Sequence, residues 1–326
     1  MSFKILATSS IIGENQETNE SVEQRLNLTS GYVFEKTGIK SRYHTNQKIS
    51  EISESVALNV IKESSINPEN IGLVIVCAYI GDYIFPSTAA KVAGNIGAIN
   101  STAFDLNANC TGFLSALQMA DGFFLNNNNI NKNVLIIGVA KQSPFLNPLN
   151  VDSALFFSDG AGAVILGPRK SPGGLLKFCS KVVSNNYEAV RLRGGGAEFP
   201  SSRKNRNGLD ELYYEHLGLS VWKETITEMP KIARQVLKAT GWEISDIDLV
   251  ISHQANAKML TFIFNRLGID QNRAFINVNK IGNTADASIV IALDHSIKQK
   301  LIKDKNKVLF LGVGAGYVYQ AATYEV

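Results

Sequence analysis

A polar turn, Asn107-Ala108-Asn109-Cys110-Thr111-Gly112-Phe113, leads directly into a long apolar stretch that has the composition of a buried helix. The first amides of a helix have no partners within it, and the helix dipole leaves partial positive charge at that end. A thiol in this position is predicted to have a lowered pKa and to serve as a nucleophile. A free cysteine is also often a small, inert core residue, so the turn alone leaves both interpretations of Cys110 open.

The composition is that of a globular chain with a substantial core, since 45% of its 326 residues are hydrophobic. At roughly 100–200 residues per domain, this length predicts two similar halves. The 32 basic and 29 acidic side chains leave a net charge of +3, which gives no electrostatic case for binding nucleic acid. The amino-terminal apolar run is too short for a signal peptide, and no run approaches the roughly 18 apolar residues of a membrane span. We therefore expect a cytoplasmic protein without nucleic-acid or membrane partners.

Cysteine and histidine spacing gives no sign of a disulfide framework or a metal site. The three cysteines are odd in number and lack CxxC spacing, and Cys77 and Cys179 fall in strand-like runs, where we expect inert core thiols. No pair of histidines has HExxH or related ligand spacing, so no metal is expected. The histidines are His44, His216, His253 and His295.

Short β-branched runs alternate with helix-length amphipathic stretches, which predicts an α/β fold with a mainly parallel sheet covered by helices. The predicted strands of the first half are Phe3–Thr8, Leu73–Ala78, Ala103–Leu106, Val134–Ala140 and Ala161–Leu166. Those of the second half are Leu175–Val183, Leu249–Ser252, Ala274–Val278, Val308–Gly312 and Tyr317–Tyr324.

The two halves have the pattern of a diverged duplication. Residues 133–139 and 307–313 each form a buried strand that reaches a glycine, and each follows a helix and a polar turn. The breaker-rich stretch Gly167–Gly174 is the predicted joint, which divides the chain into residues 1–168 and 169–326. A second glycine-rich and charged stretch, Gly194–Asp210, is predicted to be a long surface loop; its cations are Arg203, Lys204 and Arg206.

Three further motifs follow predicted strands of the second half. The run Ser252-His253-Gln254-Ala255-Asn256 stands at the carboxyl end of a strand, where α/β folds gather ligands, although such a histidine is more often a satisfied polar residue. Asn283 lies in a glycine turn that enters a helix, where it could simply be an N-cap. The run Gly312-Val313-Gly314-Ala315-Gly316-Tyr317 either points its amides into a cavity or forms a tight β-turn.

A cysteine, a histidine and an asparagine at three such junctions, in this order, resemble the thiolase-like condensing enzymes. The resemblance is closest to the β-ketoacyl-(acyl carrier protein) synthase III family and runs over nearly the whole chain. It implies a five-layered αβαβα fold made of two thiolase-like halves. The segments that carry it are Thr18-Asn19, Lys36–Arg42, Phe85–Ser87, Ala108–Phe113, Asp159–Ala163, His253–Asn256, Gly282–Thr284 and Gly312–Tyr317.

The resemblance also implies the role of each site residue. Cys110 takes an acyl group from a thioester, and His253 and Asn283 hold the carbonyl oxygen of a malonyl-type thioester. Loss of carbon dioxide from that thioester leaves an enolate, which preset donors stabilise. The backbone amides of Cys110 and Ala315 hold the oxyanion that forms when the carbanion attacks the acyl group. The implied reaction is a ping-pong, decarboxylative Claisen condensation in fatty-acid or secondary-metabolite biosynthesis, with no metal or redox cofactor.

The partners implied by the resemblance are a second copy of the chain and an acyl carrier protein. The loop around Phe85 is expected to reach toward the acyl tunnel of the partner subunit. Lys258 matches a basic position that helps to receive the acidic carrier protein, and other cations are expected to extend this patch. These are Lys36, Lys40, Arg42 and Arg266. The expected substrate-binding residues are Tyr32, Phe85, Phe156, Gly314 and Gly316.

Departures from the family pattern bear on the substrate. Primary-metabolic members commonly bracket the adenine of coenzyme A with a tryptophan and an arginine, where this chain has Tyr32 and Val151. Tyr32 can stack on the adenine, but position 151 has no arginine to supply the positive charge on the other side. We therefore expect an acyl carrier protein or a less conventional coenzyme A thioester as donor, rather than acetyl-coenzyme A. Ala315 replaces a customary glycine, which constrains the backbone torsions of that turn.

Three alternatives stay open. Papain-like proteases also use Cys, His and Asn, but their thiol lies near the mature amino terminus, whereas a full strand-and-helix half precedes Cys110. Acyl-Cys110 could instead pass its acyl group to an alcohol or amine, with His253 as general base and no decarboxylation. The chain could also be a non-catalytic partner of a sister condensing enzyme, against which the complete catalytic set argues. The acyl donor, chain length and extender are left open.

Overall fold

The computed structural model describes residues 2–126, 129, 131–201 and 212–326, which form two five-stranded mixed sheets and the helices that pack on them. The strands are β1 Ser2–Ile12, β2 Asn15–Thr18, β3 Ser41–His44, β4 Ile71–Cys77, β5 Thr102–Leu106, β6 Asn133–Ala140, β7 Gly160–Arg169, β8 Gly174–Val182, β9 Val190–Arg191, β10 Glu215–His216, β11 Leu249–Ser252, β12 Ala274–Phe275, β13 Lys307–Gly314 and β14 Val318–Glu325. The helices are α1 Asn19–Arg25, α2 Tyr32–Thr37, α3 Ile49–Ser64, α4 Thr88–Asn95, α5 Gly112–Leu125, α6 Val151–Ala154, α7 Gly218–Thr240, α8 Ala257–Leu267, α9 Val278–Ile281 and α10 Ser288–Lys298.

The two large sheets have the same strand order and the same strand directions. The first runs β1-β7-β6-β4-β5 and the second runs β8-β14-β13-β11-β12. In each sheet the last three strands are parallel to one another and the first two pair antiparallel. The predicted duplication is therefore confirmed. The division between residues 168 and 169 stays a prediction, since β7 continues through Arg169 and β8 begins at Gly174.

Five layers stack in the predicted order αβαβα. Helices α5 and α10 lie between the sheets, where Phe113 and Ile289 share one apolar core with Ile75 of the first sheet and Phe310 of the second. Helices α3 and α4 cover the outer face of the first sheet, and α7 and α8 cover that of the second. The sandwiched position explains why α5 is apolar on nearly every side. Each fully buried large side chain in this layer contributes about 1.5–3 kcal/mol to folding.

A glycine of β6 fixes the approach to α10. A Cβ atom at Gly138 would lie 2.6 Å from the carbonyl oxygen of Asp286, closer than any real contact of this kind. Only glycine allows the 3-10 turn Ala285–Ala287 to rest directly on the first sheet. The start of α10 is thereby held against β6.

The structure departs from the predicted elements in one place that bears on the site. The predicted strand Ala274–Val278 ends at Phe275, and the short helix α9 begins at Val278. The amides of Asn277 and Val278 donate to Oε1 of Gln254, at 3.0 and 3.2 Å, instead of to a neighbouring strand. The polar residue that follows His253 therefore draws this segment out of the sheet.

Part of the predicted surface loop lies outside the described residues. Gly194–Asp210 is described as far as Ser201, and Arg203, Lys204 and Arg206 fall beyond that point. No helix within the described ranges is both long enough and apolar enough to cross a bilayer.

Candidate active site

Cys110 lies in the 3-10 turn Asn109–Thr111, which joins β5 to α5. The amide and the hydroxyl of Thr111 both donate to the carbonyl oxygen of Ala108, at 3.2 and 2.8 Å. Gly112 follows with no room for a side chain, because its Cβ would lie 3.0 Å from that of Cys77. These contacts hold the half-buried Cys110 at the head of the central helix, where the sequence places it.

The predicted lowering of the Cys110 pKa is wrong for this structure. Burial raises the pKa of the Cys110 thiol well above its usual range, and the nearby carboxylate of Asp286 raises it further. A hydrogen bond from the backbone amide of Cys110 acts in the opposite direction and is the smaller effect. Desolvation of the thiolate thus exceeds the stabilisation that the helix terminus provides. The surroundings of Cys110 therefore favour the thiol over the thiolate.

His253 follows β11, and two other groups fix its imidazole. Its backbone amide donates to the carbonyl oxygen of Leu311 at 2.8 Å, and Nδ1 lies 2.6 Å from the hydroxyl oxygen of Ser288. The amide of Gln254 donates to the same hydroxyl oxygen at 3.4 Å. Burial lowers the pKa of His253 to about 4, which favours a neutral imidazole at neutral pH.

Asn283 also presents a donor. Its backbone is fixed by a short pairing with residues 156–158, in which its amide donates to Phe156 and its carbonyl oxygen accepts from Ser158, each at 2.8 Å. Oδ1 accepts from the amide of Ala285 at 2.8 Å. The N-cap of the 3-10 turn Ala285–Ala287 is Thr284, so the simpler interpretation of Asn283 as an N-cap is wrong. Because Oδ1 is occupied, Nδ2 is the part of the side chain that a ligand can use.

Turns from the two halves of the chain meet around α5 and α10. Asn109 donates from Nδ2 to the carbonyl oxygen of Ala315 at 3.5 Å, which places the glycine-rich turn beside Cys110. The 3-10 turn that follows Asn283 packs against the turn that carries Cys110. His253 joins this group through Ser288, the first residue of α10. The structure therefore gathers all four predicted turns at the junction of the halves.

Two family descriptions match the chain. Residues 104–182 match 3-oxoacyl-[acyl-carrier-protein] synthase III, and residues 237–326 match the carboxy-terminal region of the same synthase. The β-ketoacyl-[acyl-carrier-protein] synthase III of Clostridium novyi is 32% identical over 320 residues, which cover 98% of this chain and 97% of that protein. The corresponding enzyme of Caldanaerobacter subterraneus is 30% identical over 324 residues, with 98% and 97% covered.

The chain belongs to the β-ketoacyl-[acyl-carrier-protein] synthase III family. It is an enzyme of the acyltransferase class. The crystal structure of the Aquifex aeolicus synthase III matches with a TM-score of 0.90 and 28% identity, over the whole of both chains. A priming β-ketosynthase of the R1128 polyketide pathway shares the fold, with a TM-score of 0.89 at 21% identity, over 100% of this chain and 96% of that one.

Tyr32 and Val151, the two positions that we expected to face the adenine of coenzyme A, lie in one cluster. Tyr32 begins α2 and packs in a small apolar cluster with Val151 and Phe156. The Nζ atom of Lys36 lies 5.5 Å from the centroid of the Tyr32 ring, one helical turn away. A cation therefore does accompany the aromatic ring, although it comes from α2 and not from position 151. The i,i+4 spacing of Tyr32 and Lys36 was the signal in the sequence.

Of the cations expected to receive a carrier protein, Lys40 and Lys258 line one surface groove. The groove has a volume of about 670 Å³ and lies between α2 and α8, with the half-exposed rings of Phe34 and Phe262 in its walls. Arg266 is exposed on α8, where its guanidinium donates to the carbonyl oxygen of Ile226 in α7.

The expectation that Arg42 belongs to this surface patch is wrong, because its side chain is fully buried. Its guanidinium donates to Oδ1 of Asn19 at 3.0 Å and to the carbonyl oxygen of Leu155 at 3.2 Å. A carboxylate oxygen of Glu17 lies 3.7 Å from its Nε. Arg42 thus connects β3, β2 and the start of α1 to the segment that precedes Phe156.

The other expected substrate-binding residues have different surroundings. Phe156 stands beside His216, with ring centroids 5.8 Å apart. Gly314 lies against the Cys110 turn, where a Cβ would come within 3.1 Å of the carbonyl oxygen of Ala108. Gly316 has a φ of 123°, which favours glycine. Phe85 is 84% exposed, so it contributes nothing to the site of its own subunit.

Sequence analysis missed two buried residues of the site. Ser288 orients His253, and Asp286 lies between Asn283 and Ser288 with its carboxylate near Cys110. An acidic residue at a helix start is ordinarily a solvated partner of the helix dipole, so the sequence holds no sign that Asp286 is buried. Within residues 2–126, 129, 131–201 and 212–326, no three His, Cys, Asp or Glu side chains are arranged to hold a metal ion.

Proposed function

We propose that this synthase joins an acyl group held on Cys110 to a malonyl-type thioester with loss of carbon dioxide. The observation that carries the proposal is that the turns of Cys110, His253 and Asn283 meet at the junction of the two halves. In the proposed site, the Ser288 hydroxyl donates to Nδ1 of His253, so that Nε2 carries the proton, and the amide of Ala285 occupies Oδ1 of Asn283, so that Nδ2 is the second donor. Two neutral donors that need no reorganisation suit an oxygen on which negative charge develops.

The reaction proceeds in two stages through these groups. Cys110 attacks the donor thioester, its S–H bond breaks, the donor thiol leaves with a proton, and the acyl group stays on sulfur. The malonyl-type thioester then binds with its carbonyl oxygen between Nε2 of His253 and Nδ2 of Asn283. Its terminal C–C bond breaks to release carbon dioxide, and the enolate carbon attacks the acyl carbonyl. The amides of Cys110 and Ala315 receive the resulting oxyanion, and thiolate departure completes the β-keto thioester.

We propose that the enzyme works as a homodimer with an acyl carrier protein as partner. Support for the dimer comes from an exposed apolar tip made of Tyr83, Ile84 and Phe85, which are 66, 81 and 84% exposed. Support for the carrier protein comes from the groove of Lys40 and Lys258, since cations flanking aromatic rings suit an acidic partner with an apolar arm. The thioester substrates supply the activation, so no further cofactor is proposed. A cytoplasmic location stays a prediction of the sequence.

Acyl transfer to an alcohol or amine is less well supported. That reaction needs His253 to take a proton from the acceptor, whereas in the tautomer that we propose Nε2 already carries a proton. We therefore keep condensation as the single proposed reaction.

Acyl labelling followed by mass spectrometry tests the proposal. The wild-type protein is incubated with a panel of coenzyme A and carrier-protein thioesters, and the mass added at Cys110 identifies the donor. Cys110→Ala is expected to abolish labelling, whereas His253→Ala and Asn283→Ala are expected to keep labelling and to lose carbon dioxide release from malonyl thioester. A non-catalytic partner would not be labelled by any thioester. Labelling without carbon dioxide release in the wild-type protein would contradict condensation.

A further inference from the structure

Asp286 is a buried carboxyl that the proposed reaction does not use. The residue is 1% exposed, and its Oδ1 atom has no hydrogen-bond partner among the described residues. Among the described residues, the hydrogen bond that stabilises its charge comes from its own backbone amide. A buried carboxylate without a cation partner is costly, because its desolvation is not compensated by an opposite charge.

The packing of the surrounding turns fixes the position of this carboxyl. The backbone of Asp286 lies against Gly138 of β6, as described above. Its Oδ1 lies 3.8 Å from the position that a Cβ of Gly112 would occupy, and Gly112 is two residues beyond Cys110. The turn Ala285–Ala287 packs against the turn Asn109–Thr111. The carboxyl is therefore held beside the head of α5, in the turn that packs against the turn of Cys110.

Among the described residues, the titratable groups that sense the charge of Asp286 do not include a cation. Cys77 comes from β4, Tyr79 from the segment after β4, and Tyr214 from the segment before β10, and each senses the charge of Asp286 electrostatically. Cys110 senses it from its own turn. All four are neutral in their usual protonation state, so they cannot offset the carboxylate. Of these, Cys110 is the nucleophile, and it becomes an anion when it reacts.

We propose that Asp286 is a positioning residue that acts through Cys110: its carboxylate opposes ionisation of the neighbouring sulfur and keeps Cys110 as a thiol until a substrate is bound. The inference rests on the proposed function only in treating Cys110 as the nucleophile. Burial also raises the pKa of Asp286 to about 7, so the carboxyl changes charge near neutral pH. The reactivity of the thiol is then linked to the titration of a second residue.

Alkylation by iodoacetamide measures this effect without any thioester. The rate is followed at the Cys110 peptide by mass spectrometry over a range of pH, in the wild-type chain and in Asp286→Asn. Removing a like charge is expected to lower the pH midpoint by about one unit or more. Because the pKa of Asp286 is about 7, alkylation is expected to be about twofold faster at pH 7 and about tenfold faster at about pH 9, where the wild-type carboxyl is charged. Asp121→Asn is the control, because Asp121 is a half-buried carboxyl on α5, the helix that follows Cys110, but accepts a hydrogen bond from Ser2. Its alkylation profile is expected to match the wild type.

An unchanged or slower reaction in Asp286→Asn would overturn the proposal; a slower one would mean that Asp286 accepts the thiol proton instead. Asp286→Ala is measured in parallel so that an effect specific to asparagine is recognised, and thermal unfolding confirms that each variant is folded. The result is independent of the proposed reaction. A protein that never accepts an acyl group would refute condensation. The comparison of its alkylation rate with that of Asp286→Asn would still decide the proposal about Asp286.

Discussion

Burial at His253 gives this side chain the protonation state that enolate stabilisation needs. A pKa of about 4 keeps the imidazole neutral, and the hydroxyl of Ser288 selects which nitrogen holds the proton. A charged imidazolium would be a stronger donor, but the site would have to desolvate that charge in every resting molecule. The neutral donor is available at all times without this cost. In the proposed arrangement, the position of the proton on His253 thus depends on Ser288, the first residue of α10.

Removing the Ser288 hydroxyl is expected to impair decarboxylation alone. In Ser288→Ala, Nδ1 of His253 loses its partner, and the proton is no longer confined to Nε2. The loss of one hydrogen bond, about 1.4 kcal/mol, corresponds to about a tenfold fall in carbon dioxide release from malonyl thioester. Acylation of Cys110 is expected to be unchanged. Ser296→Ala is the control, since Ser296 is also buried on α10 but bonds within its helix. An equal fall in acylation would contradict this role.

The stability of the protein is expected to depend on pH through Asp286 and His253 with opposite signs. Folded Asp286 keeps its proton up to about pH 7, whereas the ordinary carboxyl loses it near 3.8, so this residue lowers the free energy of unfolding as pH rises through that window. Folded His253 stays neutral down to about pH 4 against an ordinary pKa of 6.5, so it raises the free energy of unfolding over much of the same window.

Asp286→Asn separates the two contributions. The variant is expected to gain stability relative to wild type as pH rises from about 4 to about 7, by up to about 4 kcal/mol. Urea unfolding at a series of pH values measures the difference. Parallel stability curves for the two proteins would show that Asp286 is not buried as described.

At the scale of elements, the sequence predicts what local pattern determines. Strands β6 and β13, which occupy equivalent places in the two sheets, and the apolar helix α5 follow from periodicity and glycine placement. The structure confirms all three. Contacts between distant segments are not visible in such patterns. The burial of Arg42 depends on Asn19 and Leu155, which are 23 and 113 residues away. The early end of β12 likewise depends on the Gln254 side chain.

Arg42 is expected to stabilise the amino-terminal segment and not to bind a partner. Arg42→Met leaves Glu17 and Asn19 without their buried partner, so the free energy of unfolding is expected to fall by about 3–5 kcal/mol. Urea unfolding measures this loss. Lys62→Met, at an exposed position of α3, is the control and is expected to stay within about 0.5 kcal/mol of wild type. A stable Arg42→Met protein with weakened carrier-protein binding would restore the original interpretation.

At the scale of the whole molecule, the catalytic set exists only when both halves are folded together. Cys110 comes from the first half, and His253, Asn283 and Ala315 come from the second. The positions of these residues after predicted strands only suggested a shared site, since strand ends meet in α/β folds, and their roles came from the family resemblance. The electrostatics of the assembled site were not predictable from any local stretch, because the pKa of Cys110 depends on Asp286 from the other half.

A charge on the exposed apolar tip is expected to prevent dimerisation. In Ile84→Asp, association would have to bury an uncompensated carboxylate, which costs several kcal/mol. Light scattering after size-exclusion chromatography is expected to show a dimer for the wild type and a monomer for the variant. Leu149→Asp, at another residue that is 76% exposed, is expected to stay dimeric. A monomeric wild type would refute the proposed assembly.

A single-turnover experiment on isolated acyl-enzyme tests the central claim most directly. The protein is acylated at Cys110, freed of donor and mixed with malonyl thioester, while the mass of the protein and the released carbon dioxide are followed together. The account predicts that the acyl mass leaves Cys110 at the same rate as carbon dioxide appears, with one β-keto thioester formed per acyl group lost. Loss of the acyl group without carbon dioxide, or carbon dioxide release while the acyl group stays on Cys110, would contradict it.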